Sequence, residues 1–178
     1  SWAAHRIADN EVVYIPNVFM MDKVDLNDKA NWRIEPGQVE RANKDGRHDA
    51  KDSIFNWRKI VAQQGVRHER WNANRNAIAW KFITGDTFND PEKYPYSVVP
   101  NRKFGVKDAM TLLRQHEEYI GEDQEFYHSK SEGICRTTSH DSIVYNLTKD
   151  PTLTEAWKTL GRPCQSIFVP LYPLAGPA

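Results

Sequence analysis

Two polar residues interrupt apolar stretches of this sequence, and both have side chains suited to stabilising negative charge. Asn17 follows the apolar run at residues 12–15, and Arg136 lies within residues 134–147, which also carry a histidine and several hydroxyls. An asparagine amide donates N–H groups, and an arginine keeps its positive charge at any physiological pH. We interpret the two residues as supporting parts of one hydrolytic site, whose nucleophile we expect to lie outside this chain.

Residues 134–147 favour one long strand. Successive side chains of a strand point to opposite faces, so Arg136, His140 and Ser142 would share one face and Cys135 would lie on the other. A buried arginine requires a paired anion or a functional role. An Arg136 that faces solvent on an edge strand requires neither, and the residue types alone favour neither alternative.

The histidines of this sequence do not indicate a metal site. The six of them stand at positions 5, 48, 68, 116, 128 and 140, and no two have the close spacing of metal ligands. His-Glu-x-x-His and Cys-x-x-Cys motifs are both absent from the sequence. We therefore predict neither a metal nor a cofactor, and a metallohydrolase is the least favoured alternative.

The two cysteines are interpreted as structural residues. The charge of Arg136 beside Cys135 would favour a thiolate, but a place inside an apolar strand favours a buried and unreactive thiol. Cys164 is interpreted in the same way, and a disulfide between the two cannot be inferred from sequence. The sequence also lacks a Gly-x-Ser-x-Gly elbow and a glycine-rich phosphate loop.

The helices that must position these residues follow from apolar spacing and from residues that end helices. The clearest one is predicted over residues 106–119, where an apolar stripe runs up to Gly121. Another is predicted to be capped by Ser53 and ended by Gly65. Further helices are expected near residues 38–43, 69–82 and 151–160.

Strand signals alternate with these helices. Two strands are predicted on either side of the turn at Asp9-Asn10, and Pro16 in the second one marks an edge, a bulge or a strand end. Residues 94–100 must be extended because residues that precede proline avoid the helical region. A last strand is predicted over residues 165–169, where Pro170 would stop it. Asp150 as N-cap and a following proline favour the start of the helix at 151–160. The pattern predicts an α+β fold.

Composition excludes several classes of protein. Hydrophobic residues make up 39% and charged residues 27% of the 178 residues, which is typical of a folded globular domain. Lys+Arg and Asp+Glu number 24 each, so the basic excess of a nucleic-acid-binding protein is missing. No apolar run is long enough to span a membrane. The first residues are neither an initiator methionine nor a signal peptide, so we expect a processed chain or a piece of a longer protein.

Three blocks of sequence resemble the dipeptidase family of N-terminal-nucleophile (Ntn) cysteine hydrolases, which also includes the secernins. Residues 2–17 match its Trp-Ala-x-x-Arg-Ile-Pro-Asp stretch and the following apolar strand, although Ala8 replaces the usual proline and Pro16 the usual alanine. The second block, residues 94–116, resembles its Tyr-Pro-Phe-Ser segment and the helix after it. The third comprises residues 134–144 and 166–172, which resemble its late strands.

The resemblance implies an αββα sandwich, in which two antiparallel sheets lie between helix layers. Residues 1–178 would then be a single incomplete portion of the catalytic domain, with an irregular and helical insertion at about 22–93. It also implies that dipeptides are hydrolysed by an N-terminal cysteine whose own α-amine, with a pKa near 8, is the base. Ser1 lies inside the Trp-Ala motif and does not match the position of that nucleophile.

Two residues of this chain match supporting residues of the family. Asn17 aligns with the asparagine that, in this family and in the related bile-salt and penicillin hydrolases, lies beside the nucleophile and holds the oxyanion. Arg136 aligns with the arginine next to the nucleophilic cysteine, where its charge would favour the thiolate. His140 matches no residue with a role in the family.

The partners implied are a dipeptide or another small amide and the rest of the same polypeptide or a companion processed chain. Neither a nucleic acid nor a membrane span is expected, whereas an oligomer is. The cytoplasm is favoured, and a secreted or periplasmic protein remains an alternative. The alternative function is that of a non-catalytic, secernin-like binding or structural subunit with the same fold.

Overall fold

Helices and short antiparallel strands are interspersed along the chain in the computed structural model, which describes residues 1–16, 20–62, 70–88, 90–116 and 133–173. The predicted α+β class is therefore confirmed. The chain divides into an N-terminal unit, Ser1–Asn76 with Phe88–Pro100, and a C-terminal unit, Ala77–Thr87 with Asn101–Ala178. The αββα sandwich and the single catalytic domain with its insertion stay predictions. None of the described helices is long and apolar enough to cross a membrane.

The described part of the N-terminal unit contains three antiparallel strand pairs, in which β1 pairs with β4, β2 with β6 and β3 with β5. Its core is formed by Val24, Ala42, Phe55, Trp57 and Ile60. In chain order its elements are β1 (Ala3–His5), β2 (Val12–Val13), β3 (Val24–Asp25), β4 (Trp32–Ile34), α1 (Gln38–Lys44), β5 (Ile54–Phe55), α2 (Trp57–Val61), the first half of α3 (Arg70–Thr84), a 3₁₀ turn (Pro91–Lys93) and β6 (Ser97–Val98).

Two of the predicted helices are confirmed and a third begins later than predicted. α1 and α3 occupy the predicted positions. The predicted cap Ser53 was wrong, because Asn56 caps α2 by accepting a hydrogen bond from the Lys59 N–H at 3.2 Å. Ile54 cannot be helical, since it lies in β5 and pairs with Asp25 of β3. The predicted end at Gly65 falls outside the described residues.

The C-terminal unit is organised around a three-stranded antiparallel sheet with the order β7-β8-β9. After the second half of α3 its elements are α4 (Val106–Leu113), β7 (Asp141–Asn146), a 3₁₀ turn (Pro151–Leu153), β8 (Glu155–Leu160) and β9 (Val169–Leu171). α4 ends at Leu113, earlier than predicted, with Arg114 as its C-cap. Residues 117–121, which include the predicted helix end, lie outside the described part.

The long strand predicted over residues 134–147 was wrong in its first half, because β7 begins only at Asp141. Arg136 and Ser139 instead close a turn. The Ser139 N–H donates to the Arg136 carbonyl, and the Arg136 N–H donates to the Ser139 hydroxyl oxygen, both at 3.0 Å. A serine hydroxyl competes in this way with a strand partner for the backbone N–H.

The helix predicted over residues 151–160 was also wrong beyond its first turn. Asp150 does accept a hydrogen bond from the Thr152 N–H at 2.9 Å, as predicted, but it caps only a 3₁₀ turn. The following residues form β8, which pairs with β7 on one side and β9 on the other. β9 contains Pro170 rather than ending before it, and an edge strand tolerates the missing N–H.

Candidate active site

An apolar cavity of about 600 Å³ lies within the N-terminal unit. Its volume falls within the range of cavities that bind small ligands. The side chains that give it an apolar and aromatic wall include Trp2, Met20, Met21, Trp57 and Tyr96. Met20 and Trp57 are almost completely buried, whereas Trp2 is 51% exposed and lies at the rim. The cavity can therefore enclose an apolar group and remains open to solvent on one side.

His5 is a polar group in this apolar wall. It is paired with Trp32 across the β1–β4 ladder, and the two rings stack with centroids 3.7 Å apart and planes 9° from parallel. The Tyr96 ring lies 5.5 Å from the His5 ring. Nδ1 of His5 is buried, and within the described residues it has no hydrogen-bond partner. The stack thus fixes the His5 ring in the cavity wall.

Tyr96 supplies a second polar group at the cavity. Burial raises the pKa of its hydroxyl above the ordinary value for tyrosine. The hydroxyl therefore stays protonated at neutral pH and can donate a hydrogen bond to an oxygen of a bound molecule.

Two of the sequence blocks that carry the family resemblance meet at this cavity. The first block supplies the wall from Trp2 to His5 and again at Pro16, and the second supplies Tyr96. The antiparallel pair of β2 and β6 joins the two blocks, with Val12 opposite Val98. Segments about 80 residues apart in sequence thus form one concave surface.

Asn17 itself lies outside the described residues. Ile15 and Pro16 before it and Met20 after it line the cavity. The described chain therefore approaches the cavity on both sides of the predicted oxyanion residue, and the role of Asn17 stays a prediction.

Arg136 lies in the C-terminal unit, half-buried in the turn that it forms with Ser139. Asn17 and Arg136 thus fall in different units, and a joint site of the two stays a prediction. His140, which the sequence also placed on the predicted strand, is exposed and precedes β7.

The two cysteines, by contrast, come together in the C-terminal unit. Cys135 is 1% exposed, and its Sγ lies 3.4 Å from the Sγ of Cys164. Burial, together with the neighbouring Cys135 thiol, raises the pKa of Cys164 to about 11. The Cys164 thiol therefore stays protonated at neutral pH, where a nucleophile would need to be a thiolate.

His116 joins these cysteines, so that one ring nitrogen and the two sulfur atoms all lie within 4.8 Å of one another. No sequence signal marks this cluster, because its members are far apart in sequence and no short motif connects them. The stack of His5 on Trp32 has no sequence signal either, because it depends on the pairing of β1 with β4.

Comparison with known proteins gives a family and relatives to which this chain is similar. The model of Peptidase family C69 matches residues 1–174. A "Probable dipeptidase" of Salmonella dublin is 24% identical over 184 residues, covering 96% of this chain and 42% of that protein. "Probable dipeptidase A" of Streptococcus pyogenes serotype M1 is 25% identical over 137 residues, covering 68% of this chain and 26% of that protein. The chain thus spans less than half the length of these relatives, and the resemblance found in the sequence is confirmed.

Proposed function

Because this chain belongs to Peptidase family C69, we propose that it forms the substrate-binding part of a dipeptidase, with the apolar cavity of the N-terminal unit as its binding site. The observation that carries the proposal is the meeting of two family-like sequence blocks around one cavity. Peptide hydrolysis requires such a concave site beside the catalytic groups.

The cavity suits a dipeptide with an apolar side chain. Trp57 and Met20 offer a dry wall for that side chain, and a volume of about 600 Å³ accommodates two residues. The Tyr96 hydroxyl, which is protonated at neutral pH, donates to an oxygen of the substrate. Apolar burial would supply most of the affinity, and the hydroxyl would fix the orientation.

The nucleophile in this proposal is an N-terminal cysteine that is not among the 178 residues. Neither cysteine of this chain fits the role, since Cys135 is buried and Cys164 has its pKa raised to about 11. The α-amine of an N-terminal cysteine takes the thiol proton, the thiolate attacks the amide carbon, and a tetrahedral oxyanion forms. Asn17 donates an N–H to that oxyanion, and the positive charge of Arg136 favours the thiolate.

Replacing Asn17 by alanine in the full-length protein tests the oxyanion role. Loss of one fixed donor to an oxyanion lowers kcat by about 10²–10³-fold, with a small change in KM. Steady-state hydrolysis of an apolar dipeptide measures both constants. The matched control is Asn10→Ala, which removes an exposed asparagine in the turn before β2. A kcat that falls no more in Asn17→Ala than in the control contradicts the assignment.

The alternative is a non-catalytic binding or structural subunit of the same fold, as in a secernin-like protein. It is compatible with the environments of both cysteines in this chain, neither of which suits a nucleophile. N-terminal sequencing of the intact, mature protein separates the two functions. A free N-terminal cysteine supports the dipeptidase, and a blocked or different residue supports the non-catalytic subunit.

A further inference from the structure

The cluster of His116, Cys135 and Cys164 in the C-terminal unit has the composition of a metal site. Its one imidazole and two thiols are the ligand types that Zn²⁺ prefers, and their donor atoms lie within 4.8 Å of one another. We propose that this cluster binds one Zn²⁺ ion through the two sulfur atoms and a His116 ring nitrogen, with a fourth position open to a further ligand. The proposal is independent of the catalytic function proposed for the N-terminal unit.

The distance between the two sulfur atoms suits a shared ion. Two thiolates at about 2.3 Å from a tetrahedral Zn²⁺ are about 3.8 Å apart, whereas a disulfide requires about 2.05 Å. The observed separation is 3.4 Å, and the two cysteines do not form a disulfide. A small outward shift of the side chains therefore admits the ion, and no backbone rearrangement is required.

Hydrogen bonds already hold the three segments that carry the ligands. The Cys135 N–H donates to the carbonyl of Gln115, the residue before His116, at 2.9 Å. Arg114 Nε donates at 2.9 Å to the carbonyl of Pro163, the residue before Cys164. The segment that carries His116 is thus joined to the segments of Cys135 and Cys164 by hydrogen bonds within two residues of each ligand, which keeps the ligands near the geometry that a metal requires.

The same framework is reinforced around Cys164. A second Arg114 nitrogen donates to the Ser166 carbonyl at 3.3 Å, and the Arg114 guanidinium lies over the Phe168 ring. Arg162 Nε donates to the Thr137 carbonyl at 3.2 Å, so the turn with Cys164 is tied to the turn that follows Cys135. The turn that carries Arg136 is therefore part of the structure that the ion would stabilise.

Zinc binding releases protons from the ligands and neutralises the charge of the ion. Two thiols lose one proton each on binding, and the two thiolates neutralise the charge of the ion. The bound ion would join the end of α4, the segment before β7 and the turn after β8. We assign it a structural role, since the segments it joins are the connections of the C-terminal sheet, and a ligand from outside the cluster would fill the fourth position.

Metal analysis of the full-length protein tests the proposal. The protein is purified without a metal-affinity step, loaded with Zn²⁺ under reducing conditions and passed through gel filtration, and its zinc is measured by inductively coupled plasma mass spectrometry. We expect Cys135→Ser, Cys164→Ser and His116→Ala each to lose about one zinc ion per chain relative to the unaltered protein. The matched control is His140→Ala, which removes an exposed histidine of the same unit and should retain the ion.

Two measurements on the unaltered protein keep the test decisive where a variant does not fold. Loading with Co²⁺ should produce a thiolate-to-cobalt charge-transfer band, and zinc should slow the reaction of Cys164 with a thiol reagent. Absence of the cobalt band, together with a Cys164 reaction rate that zinc does not change, overturns the proposal. A peptide map of the unaltered protein in which a disulfide joins Cys135 to Cys164 also overturns it.

Discussion

Aromatic and aliphatic side chains enclose the cavity of the N-terminal unit, whereas the C-terminal unit gathers two thiols and an imidazole into a space of a few ångströms. The cavity derives its shape from buried apolar groups such as Trp57, which are stable without any ligand. The cluster surrounds the buried Cys135 with the partly exposed His116 and Cys164, and a bound ion would cross-link the three segments that carry them. The first region is therefore shaped by its own core, and the second is expected to depend on what it binds.

The first prediction concerns the contribution of the cavity wall to the unfolding free energy. Trp57→Ala removes a side chain that is 2% exposed, and Phe/Trp→Ala changes in cores cost about 3–5 kcal/mol of unfolding free energy. Denaturant unfolding of the full-length protein, followed by tryptophan fluorescence and circular dichroism, measures the loss. Trp2→Ala is the matched control, since Trp2 also lines the cavity but is 51% exposed. Equal losses for the two variants would show that the wall and the rim of the cavity are not energetically distinct.

The second prediction separates the two regions by their response to zinc. At free zinc a hundred times the dissociation constant, binding stabilises the folded state by about 2.7 kcal/mol. A chelator should therefore accelerate amide hydrogen exchange in peptides covering β7 and β8 by up to about a hundredfold, and leave β1 and β4 nearly unchanged. Mass spectrometry of peptic peptides measures both regions in one sample.

Cys135→Ser is the control for this experiment, because the amides of β7 and β8 in this variant should exchange rapidly with or without the chelator. Acceleration that is equal in the peptides of β1 and β8 would contradict a zinc effect localised to the C-terminal unit. An unchanged rate in both regions would contradict the zinc site itself.

The two regions also differ in how far their sequence predicts them. The blocks around the cavity are contiguous, so their resemblance to a known family is visible in the sequence, and α3 follows from its apolar spacing. The cluster is formed by residues from three separate segments. No periodicity or short motif brings His116 to Cys164, because only the folded chain determines that distance.

The errors in the C-terminal unit have the same origin. Residues 155–160 have apolar spacing compatible with a helix, but pairing with strands on both sides makes them the central strand of a sheet. Tertiary context overrides a weak local preference in such cases. Asp150 was correctly identified as a cap because its hydrogen bond is local. Arg136 was placed in a strand because the hydroxyl of Ser139, which bonds its N–H, has no signature in an alternating pattern.

The last prediction tests this contrast between local and non-local information at the start of α2. Asn56→Ala removes the side chain that accepts the Lys59 N–H, and the loss of an N-cap costs about 1 kcal/mol. Ser53→Ala, the change at the cap predicted from sequence, should alter the unfolding free energy by less than about 0.5 kcal/mol, as surface substitutions usually do. The Ser53 carbonyl accepts the Leu26 N–H, and this backbone bond survives the substitution. Chemical denaturation of both variants measures the loss of unfolding free energy. We attribute the cap at Asn56 to the pairing of β5 with β3, which displaces the helix start from Ser53. A larger loss for Ser53→Ala than for Asn56→Ala would contradict this explanation.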